Sequence, residues 1–230
     1  MLRSLFALWF LLGLFQNAKA QSNYLIPIYN QKELLGNTLF LSSDSGNLAV
    51  TACHPNLIRI DYSIATSPIQ KKQTETTLNL RVTQNLDAVF FETDSLWVII
   101  NKADLAVKFM QKPHQAIVLK SDPYLIKNPA KGFKFALGFA NDDTTFQIGN
   151  QKIKFSKNRC KNFRKQPLLL TNKHFALVFS APLSKSIRLQ SNTDKQFSLS
   201  SCKEKLNSYY FYCGKPDGKE RAILAEIAKF

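Results

Sequence analysis

Few residues in this chain are of a type and spacing that could do chemistry. The three histidines, His54, His114 and His174, stand in "CHPN", "KPHQ" and "NKHF". A histidine beside a carboxylate could move protons. These three are far apart in sequence, and each falls at a turn signal, so they read as surface turn residues. Asp142 and Asp143 lie in "GFANDDTTF". Paired carboxylates can hold calcium or flank a glycosidic bond. Two adjacent residues cannot reach opposite faces of a sugar, and this loop lacks the other oxygen ligands of a calcium site. A solvated turn is the expectation. There is no GxSxG, HExxH, P-loop or GxGxxG, and no CxxC pair with zinc spacing. No catalytic residue, metal site or cofactor is expected from local spacing.

Binding chemistry is better supplied. Trp97 and the run Tyr209, Tyr210 and Tyr212 could stack on a carbohydrate, with core packing as the competing role of strand aromatics. "KIKFSKNRCKNFRK" (152–165) holds seven basic residues and no acid, with Phe155 and Phe163 interleaved. Such a stretch can bind single-stranded nucleic acid. The reading preferred here is a basic strand edge and loop, where charge also discourages edge-to-edge aggregation; no nucleic-acid partner is expected. The formal net charge is +15. Its lysines are spread along the chain, which can favour acidic surfaces or anionic polymers without specificity. The four cysteines are Cys53, Cys160, Cys202 and Cys213. In an oxidising compartment they could form two disulfides in three connectivities. Proximity favours Cys202–Cys213 with Cys53–Cys160, against four reduced, partly buried thiols.

The elements that must position these groups are strands. "TLFLSS" (38–43), "NLAVTAC" (47–53) and "NLIRIDYS" (56–63) are separated by "DSG" and "HPN" turns. In the third run Ile60 and Tyr62, with Leu57 or Ile58, alternate with Arg59 and Asp61, the period of a half-buried antiparallel strand. The polar stretch 65–77 predicts an exposed loop. Further strands are expected over 78–82, 88–93, 95–101, 105–110 and 115–121. The second half adds 132–140, 144–149, 151–156, 167–172, 175–180, 186–191, 196–201 and 209–213. Gly149-Asn150 and "LTNKHF" mark hairpins. Short strands with turn signals at regular spacing predict a β-sandwich or barrel. No internal repeat or Gly/Ser-rich linker divides the chain, so 21–230 is expected to form a single domain.

The ends differ from this body. "MLRSLFALWFLLGLFQNAKA" has a basic Arg3, an apolar run from Leu5 to Phe15 and the small-x-small signal Ala18-Lys19-Ala20. It reads as a signal peptide over 1–20, too short in its apolar part to span a membrane. Cleavage would leave Gln21 first, with no membrane anchor, in a periplasmic or extracellular protein. At the other end Asp217 and Glu220 form a capping box. The short amphipathic helix that follows carries Ile223, Leu224, Ile227 and Phe230 on one face.

In order along the chain, five blocks resemble the N-terminal β-sandwich of family 31 glycoside hydrolases, the α-glucosidase and α-xylosidase group. They are "NLAVTACHPNLIRIDYS", "FETDSLWVIINKADLAVKFMQKPHQAIVLKSD", "FALGFANDDTTFQIGNQ", "PLLLTNKHFALVFS" and "NSYYFYCGKPDGKERAILAEIAKF", covering nearly all of 36–230. The resemblance implies an all-β, galactose-mutarotase-like β-sandwich with a short C-terminal helix. There are departures. Phe139 stands where the family has the Glu of "GLGE", and "FSKNRCKNFRK" replaces an aromatic, aspartate-bearing stretch. The family's catalytic carboxylates lie on a (β/α)8 barrel that has no counterpart in these residues. The nucleophile motif W-x-D-M-N-E is absent, so no catalytic residue carries over.

The resulting expectation is an exported, non-catalytic sandwich that binds carbohydrate or a partner protein. The alternative is part of a truncated or split α-glucosidase-type enzyme, with the helix face Ile223, Leu224, Ile227 and Phe230 docking a separately encoded barrel. A sugar epimerase on the same fold would need converging histidines and carboxylates.

Overall fold

A computed structural model of the chain describes residues 29–44, 46–64, 69–70, 78–112, 116–121, 133–137, 145–148, 151–154, 160–164, 168–171, 175–179, 186–191, 197–201 and 208–214. Its strands are β1 (Tyr29–Leu35), β2 (Thr38–Ser43), β3 (Gly46–His54), β4 (Leu57–Ile64), β5 (Arg81–Gln84) and β6 (Ala88–Glu92). Next come β7 (Leu96–Asn101), β8 (Val107–Gln111), β9 (Ala116–Ser121), β10 (Phe133–Leu137), β11 (Thr145–Ile148) and β12 (Gln151–Lys154). The last six are β13 (Cys160–Arg164), β14 (Leu168–Thr171), β15 (Phe175–Phe179), β16 (Ser186–Ser191), β17 (Phe197–Ser201) and β18 (Ser208–Cys213).

These strands build two nine-stranded antiparallel sheets. Sheet 1 runs β1-β2-β3-β4-β18-β15-β14-β11-β12, and sheet 2 runs β13-β16-β17-β10-β9-β8-β7-β6-β5. The expected all-β sandwich is therefore the fold. The period-two reading of β4 holds in detail. Ile58, Ile60 and Tyr62 turn into the core, while Arg59 and Asp61 pair on the other face at 2.9 Å. β18 alternates likewise. Tyr209, Phe211 and Cys213 enter the main core, while Tyr210 and Tyr212 pack with Leu57, Ala176 and Val178 on the opposite face of sheet 1.

The two sheets meet through aromatic rings. Phe135 of sheet 2 stands edge-on to Tyr209 of sheet 1 at 5.0 Å. Burial of such rings is the dominant favourable term in a sandwich core. A polar tie supplements it: the Thr93 hydroxyl, just after β6, donates to the Pro55 carbonyl in the β3–β4 turn at 2.7 Å.

Some elements differ from expectation. β1 forms although YNQKELL carries little strand signal; it is an edge strand whose register on β2 runs from Tyr29↔Ser43 to Leu35↔Thr38. The strand expected over 78–82 sits at Arg81–Gln84, and Leu78 and Leu80 pack against the core as irregular chain. The basic stretch 152–165 supplies β12 and β13, the edge strands of sheet 1 and sheet 2 respectively, as its strand-edge reading requires. The expected signal peptide, the expected loop 65–77 apart from residues 69–70, and the C-terminal helix lie outside the described residues.

Cys53 and Cys213 are free thiols; Cys202 lies outside the described residues. Cys53 is the extra residue of a bulge in β3, between the pairs Ala52↔Ile58 and His54↔Leu57. It packs against the outer apolar cluster of sheet 1. Cys160 belongs to the far edge of sheet 2. Cys213 faces the inter-sheet core.

Candidate binding face on sheet 2

The outward face of sheet 2 is built by alternation. On β7 the side chains of Leu96, Val98 and Ile100 are fully buried, which turns Trp97 and Ile99 away from the core, half-buried. The neighbouring strands repeat the pattern in register. Glu92 of β6 and Met110 of β8 lie directly opposite Trp97. Phe90 and Lys108 lie opposite Ile99. The middle of this face is thus an apolar strip with a polar margin.

Trp97 is held in place by its neighbours. Its indole N–H donates to Glu92 Oε2 at 2.9 Å. Lys112 pairs with the same oxygen at 3.2 Å and donates to the Thr93 carbonyl at 2.8 Å. The Lys112 ammonium also lies 5.4 Å from the Trp97 ring centroid, within cation–π range. The hairpin end that carries this group is fixed by Thr93, whose hydroxyl accepts from the Leu96 N–H at 3.0 Å. A positioned indole flanked by a carboxylate and an ammonium can bind a polar ring compound. The π face meets weakly positive C–H groups, and the charged groups exchange hydrogen bonds with hydroxyls.

The tyrosines expected beside Trp97 go elsewhere. Tyr209 is fully buried between the sheets, 6.3 Å from the ring of Tyr62, which removes it as a ligand contact. Burial holds its hydroxyl well above the usual tyrosine range. Tyr210 is buried on the outer side of sheet 1 with the Arg59 guanidinium 5.7 Å from its ring centre. Tyr212 is half-buried next to it. Period two is the reason, because successive residues of one strand cannot share a face. Glu92 and Lys112 escaped the sequence reading. The available signal was the hairpin around "TDSL", which brings Glu92 opposite Trp97.

Of the three histidines, His54 is exposed on the β3–β4 turn and accepts weakly from the Asn56 N–H at 3.5 Å. His114, His174, Asp142 and Asp143 lie outside the described residues. Among the described residues no cluster of His, Cys, Asp or Glu could hold a metal ion.

No family model matches the chain, and no curated protein matches it in sequence. Its fold, the all-β two-sheet sandwich read from the sequence, is nevertheless shared with solved structures. It is similar to the Flavobacterium johnsoniae GH31 dextranase complexed with glucose, at a TM-score of 0.61 and 12% identity, over 88% of this chain and 28% of that one. It is similar to the uncharacterized protein lmo2446 of Listeria monocytogenes, at a TM-score of 0.60 and 9% identity, over 82% of this chain and 21% of that one. A GH31 alpha-xylosidase from a soil metagenome, complexed with xylose, follows at a TM-score of 0.55 and 10% identity, over 80% of this chain and 32% of that one. At such identities the likeness is one of fold. The chain spans about 28% of the length of the dextranase.

Proposed function

We propose that this chain is an exported, non-catalytic β-sandwich that binds carbohydrate on the outward face of sheet 2. The observation that carries the reading is Trp97, which faces away from the core with its N–H fixed by Glu92 at 2.9 Å. A pre-positioned aromatic platform loses little conformational freedom on binding, which is how a shallow face gains affinity. Export rests on the signal-peptide pattern of residues 1–20. The sharing of this fold with sugar-processing enzymes supports the choice of ligand class without fixing it.

Calorimetric titration against a panel of neutral and charged glycans tests the proposal. Binding that is lost in Trp97→Ala, with folding retained, is the expected result. Absence of binding across the panel overturns it.

A second reading has its own support. In the solved structures of this fold the sandwich is 21% to 32% of a longer chain. The chain would then pair with a separately encoded catalytic barrel through the expected helix face Ile223, Leu224, Ile227 and Phe230. Co-purification of a barrel protein, abolished by Ile227→Asp, is the outcome that reading requires.

A further inference from the structure

We infer that the ligand of the sheet 2 face is an acidic polysaccharide, because strand register places two lysines side by side on that face beside the Trp97 platform. The inference rests on the carbohydrate reading above and narrows it.

Lys108 of β8 and Lys120 of β9 are direct cross-strand partners on the outward face. Lys120 is exposed and Lys108 half-buried. Ala136 of β10 lies opposite Lys120. The pair is continuous with the Trp97 group, since Lys108 is two residues from Met110, the partner of Trp97, and the Lys112 ammonium lies 5.4 Å from the Trp97 ring centroid. Among the described strand residues that register places on this face, the only carboxylate is Glu92.

Three physical points favour an external anion over a merely solvated face. Like charges directly opposite on neighbouring strands are destabilising, so the Lys108–Lys120 pair costs stability in the free protein. Solvated protein surfaces ordinarily intersperse both signs. Protection of a sheet edge by lysine does not account for the pair, because β8 and β9 are interior strands. Adjacent strands are about 4.8 Å apart, so the pair presents two closely spaced cations that successive carboxylates or sulfates of one chain can match. Glu92 argues for sugar rather than single-stranded DNA. Beside the aromatic platform a carboxylate accepts hydrogens from sugar hydroxyls, which the deoxyribose-phosphate backbone does not offer.

The full-length protein should be titrated with polygalacturonate, with unsubstituted dextran and with single-stranded poly(dT), at low and moderate salt. Polygalacturonate is expected to bind at least tenfold more tightly than dextran, with an affinity that falls as salt rises. The double variant Lys108→Gln/Lys120→Gln should lose that tenfold preference while keeping the dextran affinity, with a melting temperature equal to or above that of wild type, since it removes a like-charge pair. Trp97→Ala should weaken both glycans. Equal affinity for polygalacturonate and dextran, or a double variant that binds as wild type, overturns the inference and leaves the carbohydrate reading standing. Tighter binding of poly(dT) than of polygalacturonate overturns it in favour of a nucleic acid. Binding of neither glycan overturns both.

Discussion

Phe109 of β8 stacks on Phe211 of β18 across the gap between the sheets, with ring centroids 4.2 Å apart and planes at 29°. Both rings are fully buried. Phe211 also stacks on Phe175 of its own sheet at 6.0 Å, so one residue joins the two layers. Phe211→Ala leaves a cavity that these rigid neighbours cannot fill. It should lower the unfolding free energy by about 3–5 kcal/mol. Chemical denaturation of wild type and variant checks this, and Phe211→Leu should cost less because more of the volume is kept.

Thr93 is the smaller joint. Its hydroxyl donates to Pro55 at 2.7 Å and accepts from Leu96 N–H at 3.0 Å. Thr93→Val keeps the shape and removes both bonds, leaving buried polar groups unmatched. A loss of about 1–3 kcal/mol is expected by denaturant titration. If that loosening also spreads through the hairpin, the Trp97 indole fluorescence shifts with it.

Burial pushes the Cys53 and Cys213 thiols up to about 11. At neutral pH both stay protonated, and thiolate is the reactive form. Residue-resolved alkylation should therefore be slow at these two positions in the native protein and fast after denaturation. Rapid native labelling of Cys213 would contradict its placement in the core.

The same shifts set an alkaline limit. The folded pKa values lie above the ordinary thiol value of 9.0, so the native state holds its protons after the unfolded chain has begun to lose them. Stability from these groups is fully present below about pH 9 and declines as pH rises towards 11. Tyr62, pushed up to about 12 by burial, extends the decline in the same direction. Denaturant midpoints should be level from pH 7 to 8.5 and fall at pH 10, with a shallower fall in Cys213→Ala.

Glu92 both holds the platform and faces the ligand. Glu92→Gln keeps an acceptor for the Trp97 N–H but removes the charge that pairs with Lys112 at 3.2 Å. The freed ammonium should strengthen binding of acidic glycans, while neutral ones weaken slightly because an amide oxygen accepts less strongly than a carboxylate. Glu92→Ala, which also releases the indole, should weaken both, as read by the same titrations.

Amino-terminal sequencing of the exported protein is expected to begin at Gln21. An intact Met1 in the secreted fraction would sink the signal-peptide assignment.

Local pattern determined much of this protein. Alternation and turn residues placed β2, β16 and most other strands to within a residue or two. Side chains on a sheet obey period two wherever one face is buried. The same logic made Arg59 and Asp61 outward and Ile60 and Tyr62 inward before any partner strand was known, while the choice between Leu57 and Ile58 fell to Ile58 only through packing. Local pattern could not say which non-consecutive strands would be neighbours. Trp97 gains Glu92, and Lys108 gains Lys120, from hairpin partners, but β10 meets β17 and β4 meets β18 only through the order of strands in the sheets. Tyr209 shows the same limit from the other side. Its aromatic type suggested a ligand, and only the packing of one sheet on the other made it core. Strand order and sheet stacking arise from contacts far apart in the chain, whose energies are spread over the whole inter-sheet core rather than written in any short stretch.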